Sequence, residues 1–266
     1  MTSPLNRFKD SPPGSLCILR LSAIGDVTHV LPVLRTLQKH WPETRITWII
    51  GKAEASLVSD IEGVEFIVFD KSEGFKAYRK LRKAVAGRRF DILLHMQAAL
   101  RASIASLMIP ADTKLGFDKN RSRDFQHRFC DAQISGEHRV HVIDTFFQFL
   151  QALGIKERVM CWDIPTSEQD NAFAENTFAG KETLVINPCT SVRANNWRNW
   201  QIERYAAVID YAAEKHGLNI VLTGGPAKEE REFGESIKKL ANTTVNNMIG
   251  RSTLKQLQAM LGAARV

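Results

Sequence analysis

The chain has 266 residues, is 44% hydrophobic and 24% charged, and carries a formal net charge of +7. Such a length can bury a large core and points to two domains or one and a half, and no apolar run reaches the ~20 residues a membrane-spanning helix needs. The basic excess points to an anionic partner, a class that takes in phosphorylated sugars, nucleotides, nucleic acid and acidic membrane surfaces.

The four cysteines, Cys17, Cys130, Cys161 and Cys189, lie far apart without a C-x-x-C pair, so neither a zinc site nor a disulfide framework is indicated. Residues 1–15 (MTSPLNRFKDSPPGS) are polar and proline-rich and lack the apolar segment of a signal peptide; a loose leader on a cytoplasmic protein is expected. Residues 16–21 (LCILRL) have the length and branching of a buried strand. From Val27 apolar side chains recur at helical spacing through Val30, Leu31, Leu34 and Leu37. Between strand and helix, Ser22-Ala23-Ile24-Gly25-Asp26 puts a glycine and a carboxylate at a strand's carboxyl end, where open α/β sheets bind ligands. Asp26 has two readings there, a helix N-cap or a functional carboxylate.

Strands are expected at residues 45–50 and 64–69, with a short helix around 55–61. Residues 75–89 (FKAYRKLRKAVAGRR) place Phe75, Tyr78, Leu81 and Val85 on one helical stripe and Lys76, Arg79, Lys80, Arg82, Lys83, Arg88 and Arg89 on the remaining surface. That helix is either a solvated outer face or a cationic surface for a phosphorylated or membrane-embedded partner. A strand at 90–96, a helix at 97–108 and a short strand at 114–117 follow. The loop at 118–129 then carries Lys119, Arg121, Arg123 and Arg128, and guanidinium groups bind phosphate or carboxylate in bidentate fashion. His138 and His141 share a spacing that fits one helix face, but no third ligand is nearby, and no metal is expected. A helix at 141–153 closes the first domain, and 154–167 crosses to the second.

The second domain repeats the pattern: helix 168–178, strand 184–187, a Pro188-Cys189-Thr190-Ser191 loop, segment 192–200, helix 201–216 and strand 219–223. Gly224-Gly225-Pro226, a helix at 227–240, a strand at 245–248 and a helix at 254–264 complete it. Arg265 and Val266 read as the start of another strand, so this half-sheet is expected to be cut off in mid-pattern. The fold class expected is α/β, with two Rossmann-like domains of parallel sheets at 16–165 and 166–266, the second truncated. D-x-D, Walker and G-x-G-x-x-G patterns do not occur, which argues against a metal-dependent transferase, a P-loop NTPase and a standard dehydrogenase.

The strand followed by Leu21, Ser22, Gly25, Asp26 and Val27, an (L)S-x-x-G-D-V loop, resembles glycosyltransferase family 9, the ADP-heptose:lipopolysaccharide heptosyltransferases. The resemblance implies a GT-B architecture, with acceptor bound by the N-terminal half and nucleotide-sugar by the C-terminal half. It implies that Asp26 is the catalytic base of an inverting, metal-independent transfer, with Ser22 and Gly25 beside the acceptor. The family's glutamine, basic residue and serine near the acceptor are matched by Gln97, Arg101 and Ser103, although Ala98 stands where many members have glycine. Arg121 and Arg123 join the acceptor set.

For the departing diphosphate the candidates are Thr190, Ser191, Arg193 and Arg198, where hydroxyls, amides and cations can converge. The family usually has a lysine two positions before a tryptophan; counting back from Trp200 puts Arg198 there, and counting back from Trp197 gives Asn195. Gly224, Gly225 and Glu229 or Glu230 are candidates for the nucleoside. A further D-T-G-P-x-H-like loop of the family does not occur in these residues, so an incomplete donor site is expected. The implied partners are ADP-heptose, a lipopolysaccharide-core acceptor and peripheral contact with the inner membrane, with no nucleic acid and no cofactor. Two alternatives stand beside this reading: a sugar-nucleotide epimerase of the same architecture, and a noncatalytic module binding an anionic glycan or membrane surface.

Overall fold

The apolar run that follows Ser15 forms a strand in which Leu16, Cys17, Ile18 and Leu19 are completely buried. A strand buried on both faces belongs in the middle of a parallel sheet. In the computed structural model, which describes residues 4–190 and 197–266, that is where it lies. Strands β1 (Ser15–Leu19), β2 (Arg45–Gly51), β3 (Val64–Phe69), β4 (Phe90–His95), β5 (Ala111–Gly116) and β6 (Ala132–Gln133) pair in parallel in the order β3-β2-β1-β4-β5-β6. Leu16 sits opposite Ile46 on one side and Ile92 on the other. Order reverses at β1 and β4, and the ends of these two strands make the crevice that such sheets use for ligands.

Helices α1 (Arg7–Asp10), α2 (Ile24–His40), α3 (Lys52–Val58), α4 (Phe75–Ala84), α5 (Leu100–Leu107) and α6 (Val142–Ala152) belong to this first unit, Met1–Pro165. Cys17, Leu19 and Leu93 pack against Ala77 and Leu81 of α4 and Ala102 and Ala105 of α5. Side chains alternate along a strand, so Leu16 and Ile18 point to the opposite face. Helix α2 buries Val27, Val30, Leu31, Leu34 and Leu37 and packs against α6.

The first residues differ from the expected loose leader: Leu5 and Phe8 are buried, and Arg7 Nη2 donates to the Asp91 carbonyl at 2.9 Å. Two apolar side chains among polar neighbours suffice to tie this segment down. Helix α4 stops at Ala84, short of the expected 89, and Gly87 turns at φ 73° before β4. Helix α5 begins at Leu100 because Gln97 is drawn into a loop by the backbone of Leu21.

The second unit, Thr166–Val266, contains α7 (Glu168–Phe178), β7 (Thr183–Ile186), α8 (Ile202–His216), β8 (Asn219–Leu222), α9 (Lys228–Leu240), β9 (Val245–Asn247) and α10 (Leu254–Ala263). Its strands pair in parallel as β7-β8-β9. On β8, Ile220 and Leu222 pack with Ile209, Ala212 and Ile237, while Val221 packs with Ala174, Phe178, Ala259 and Met260 on the other face. Capping boxes from Ser167 and Asp170 and from Thr253 and Gln256 fix the starts of α7 and α10. The Arg265 N–H donates to Thr183 at 3.0 Å, and Val266 accepts from the Val185 N–H at 3.0 Å. These two residues therefore lie along the free edge of β7. No helix among the described residues is long and apolar enough to cross a membrane.

Candidate active site

Leaving β1, the chain passes Arg20 and Leu21 and enters α2 at Ile24. Ala23 is the N-cap residue, so Asp26 is the third residue of the helix and not its cap. Its Oδ2 reaches back to the Ala23 N–H at 3.4 Å and also accepts a hydrogen bond from Arg20 Nη2. Among the described residues Oδ1 makes no hydrogen bond, and the side chain stays 35% exposed. The N-cap reading of Asp26 is therefore replaced: Ala23 holds that position, and the Asp26 carboxylate steadies the helix start from the third residue through the Ala23 N–H.

Arg20 is almost fully buried. Its Nη1 donates to the Met96 carbonyl at 2.6 Å and its guanidinium lies over the Phe146 ring at 5.2 Å. Burial pulls Arg20 below the ordinary guanidinium range, and the charge of Asp26, together with its hydrogen bond, works against that pull. Gln97 ties the same loop to β4: its Oε1 accepts from the Leu21 N–H at 2.6 Å and its Nε2 donates to Ser22 Oγ at 3.1 Å.

Arg20, Ser22, Asp26 and Gln97 line a cleft of about 540 Å³ together with Phe117, Arg121, Arg123, His138, Thr145 and Phe146. Arg121 is held from three sides, by the Asp118 carboxylate, by Gln148 Oε1 and by the Glu137 carbonyl at 3.3 Å. One terminal nitrogen, Nη2, remains buried without a hydrogen-bond partner. Burial favours the neutral form of Asp118, but hydrogen bonds from Arg121 and the Asn120 N–H outweigh it and hold the carboxyl below its usual range. His138 Nδ1 lies 3.6 Å from Asp118, and His141 Nδ1 accepts from the Ile143 N–H at the start of α6. The cleft therefore combines the Asp26 carboxylate with three arginines, Arg20, Arg121 and Arg123, an arrangement suited to an anionic, hydroxyl-bearing ligand.

Gly25 lines neither this cleft nor the hollow next to it. Arg101 sits in that second hollow, of about 410 Å³, with Lys52, Asp70 and Lys71, and Ser22 and Gln97 form the partition between the two. Sequence reasoning missed Arg20. The available signal was one charged residue in the otherwise apolar run LCILRL, immediately before the loop. It also missed Phe117, Thr145 and Phe146, which reach the cleft only through the pairing of β5 and the placement of α6.

In the second unit Thr190 donates from both its N–H, at 3.0 Å, and its hydroxyl, at 3.1 Å, to Asn199 Oδ1. Tyr205 ties the same loop down through a hydrogen bond to the Pro188 carbonyl at 2.9 Å. Arg198 is exposed, with its guanidinium 5.9 Å from the Trp197 ring. Ser191 and Arg193 lie outside the described residues. After β8, the Gly225 N–H donates to Glu230 Oε2 at 2.7 Å, and a Cβ on Gly225 would meet Glu230 Oε1 at 2.8 Å. Glu230 thus folds onto the diglycine turn, whereas Glu229 is exposed. Burial pushes the Cys189 thiol up to about 11, and the negative charge of Glu230 adds to that rise.

The family description Glycosyltransferase family 9 (heptosyltransferase) matches residues 78–266. The lipopolysaccharide core heptosyltransferase OpsX of Haemophilus influenzae is 40% identical over 250 residues, covering 94% of this chain and 71% of that one. Lipopolysaccharide heptosyltransferase 1 of Escherichia coli K12 is 24% identical over 233 residues, 80% of this chain and 69% of its own. Among solved structures, a family 9 glycosyl transferase from Veillonella parvula superposes with a TM-score of 0.81 at 20% identity, covering 94% of this chain and 74% of the other. The E. coli heptosyltransferase WaaC with ADP gives 0.72 at 21% identity, covering 94% and 79%. At those identities the structural likeness speaks for the fold, a GT-B-like α/β architecture.

Proposed function

The chain belongs to glycosyltransferase family 9, the heptosyltransferases, and on that premise we propose that it transfers heptose from ADP-heptose to the inner core of lipopolysaccharide. Its 40%-identical relative bears the name of a lipopolysaccharide core heptosyltransferase. Asp26 carries the reading for this chain: a carboxylate just past the carboxyl end of β1, gripped by a buried arginine, 35% exposed, and lining one cleft with Arg121 and Arg123.

In the proposed reaction an acceptor hydroxyl gives its proton to Asp26 as its oxygen bonds to the anomeric carbon of heptose. The bond from that carbon to the diphosphate breaks on the opposite face, ADP leaves, and configuration inverts. Arg20 positions Asp26, Gln97 and Ser22 shape the loop, and Arg121 and Arg123 receive anionic groups of the acceptor. Thr190, Ser191, Arg193 and Arg198 are assigned to the diphosphate. Gly224, Gly225 and Glu230 are assigned to the nucleoside, with Glu229 beside them. The first unit is thus the acceptor half and the second the donor half of a cytoplasmic enzyme that meets its acceptor at the inner membrane.

Turnover of ADP-heptose by the whole chain on a deacylated core acceptor, followed as ADP release and product mass, tests this. Asp26→Asn is expected to lower the rate by roughly 10²- to 10⁴-fold, the range for loss of a general base, while ADP still raises the melting temperature. A variant as active as the parent, or a parent inert with ADP-heptose, refutes the assignment. ADP, UDP and GDP compared by thermal shift report the base, with ADP expected to stabilise most.

A further inference from the structure

We propose that the outer face of helices α4 and α5 is a docking surface for an anionic phospholipid bilayer. The proposal rests on the reading of the acceptor as lipid-linked, and it names the surface and the chemistry that would bring the two together.

Helix α4 (FKAYRKLRKA) contains Lys76, Arg79, Lys80, Arg82 and Lys83 and no acidic residue. Only Lys80 has an acidic partner, Glu73 at 2.5 Å; among the described residues the other four have none. Ala77 and Leu81 are buried, so the cations project outward, and Phe75 among them is 89% exposed. Ordinary surface helices pair their charges or intersperse both signs, and a phenylalanine this exposed has no packing role.

Helix α5 lies beside α4, sharing its core and accepting a hydrogen bond from Tyr78 Oη at the Arg101 carbonyl, 3.5 Å away. Its orientation reverses the usual rule for a surface helix. The small residues Ala102, Ser103, Ala105 and Ser106 are buried, while Leu100, Ile104 and Leu107 are 52%, 38% and 57% exposed. Their spacing of four and three residues puts them on one helix face. A cationic helix carrying an exposed aromatic ring, next to an outward aliphatic stripe, is the composition of a surface that lies in the headgroup region. There the lysines and arginines meet anionic headgroups and the apolar groups enter the acyl boundary.

A second copy of the chain fits less well, because a two-fold contact through this face would set one basic α4 against another. The face is also continuous with the site. Arg101, on the first turn of α5, lines the hollow that Ser22 and Gln97 separate from the Asp26 cleft. A bilayer against α4 and α5 would present a lipid-anchored acceptor at that mouth.

Co-sedimentation of the whole chain with vesicles of phosphatidylglycerol and phosphatidylcholine, against vesicles of phosphatidylcholine alone, tests the proposal. Binding is expected only with the anionic lipid, and it is expected to fall at least tenfold in 0.5 M NaCl. The variant R79E/R82E/K83E is expected to lose binding by a similar factor, and F75S/L107S to lose it independently without altering the charge. Both are expected to keep the parent's kcat/KM on a deacylated acceptor and to show a raised KM on the same acceptor embedded in vesicles. Equal binding by parent and charge-reversed chain, no binding by the parent, or a dimer that F75S/L107S dissociates would overturn the proposal. Failure of transfer on the deacylated acceptor would instead refute the heptosyltransferase reading while leaving the lipid binding to be judged separately.

Discussion

Arg20 bridges β4 and the first turn of α2, donating from Nη1 to the Met96 carbonyl at 2.6 Å and from Nη2 to the Asp26 carboxylate. The planar fork reaches two acceptors at once, and a lysine ammonium on a flexible stem cannot hold both in the same geometry. Arg20→Lys is therefore expected to keep the fold and the charge while letting Asp26 drift. Misplacement of a reacting group by about 1 Å can cost up to roughly 100-fold in rate. Steady-state kinetics should show the loss in kcat, with KM for ADP-heptose close to the parent's. A loss confined to KM would mean that Arg20 binds a substrate and does not position the base.

Two glycines, one in the first turn of α2 and one at the end of β2, separate what the sequence makes legible from what it hides. Gly25 stands out in the S-x-x-G-D-V loop, yet a Cβ there would meet nothing within 4 Å. Gly51 carries no motif, yet its Cβ would lie 2.2 Å from the Leu21 carbonyl oxygen, and its own N–H donates to that oxygen at 3.0 Å. Gly25→Ala is accordingly expected to raise stability by about 0.5–1 kcal/mol, the helix-propensity gain, and to leave acceptor kinetics close to the parent's, because residue 25 lines neither hollow. Gly51→Ala is expected to destabilise by about 1–3 kcal/mol as the two strand ends are forced apart. Thermal melts of both variants beside acceptor kinetics check the pair. A destabilised Gly25→Ala would show that the loop needs its glycine for folding.

The same distinction runs through the fold. Short apolar runs and helical spacing are local, so β3 at Val64–Phe69 and α7 at Glu168–Phe178 could be read directly from the chain. Boundaries set by long-range partners could not. The start of α5 depends on a hydrogen bond between Gln97 and Leu21, and α1 depends on Arg7 reaching Asp91 across 84 positions. Asp26 was legible as a motif residue, whereas its partner Arg20 looked like an intruder in a strand. Phe146 enters the cleft only because α6 packs against α2.

The Asp118 and Arg121 side chains are 15% and 11% exposed, so breaking their ion pair leaves a largely buried guanidinium without its carboxylate. Asp118→Asn is expected to cost about 3 kcal/mol, at the lower end for a broken buried pair, read as a lower urea midpoint at unchanged slope. The folded-state value of Asp118 is depressed below the ordinary 3.8, against the opposing effect of burial. Its contribution is thus fully present above that ordinary value and is lost as pH falls through the lower folded one. In the Asn variant this part of the acid dependence should vanish. A parent and a variant with parallel acid limbs below about pH 4 would place the stabilisation elsewhere.

His95, at the end of β4, has no solvent exposure, and neither ring nitrogen meets a hydrogen-bond partner from another residue. Burial first and the nearby Lys114 second push it down to about 3, against a small opposing contribution from its own backbone. The folded protein therefore keeps the ring neutral at a pH where the unfolded chain, near the ordinary 6.5, takes up a proton. Between those two values the unfolded state binds more protons, so stability rises with pH, at up to about 1.4 kcal/mol per pH unit from this one group. His95→Leu removes the titrating ring and two unsatisfied nitrogens together. Its melting temperature is expected to match or exceed the parent's at pH 7, since each unsatisfied buried group costs about 1–3 kcal/mol. Its stability should change less than the parent's between pH 6.5 and pH 4. Unfolding free energies of the two proteins measured across that interval decide the point, and a variant that keeps the parent's slope would show that His95 is already protonated or solvated in the native state.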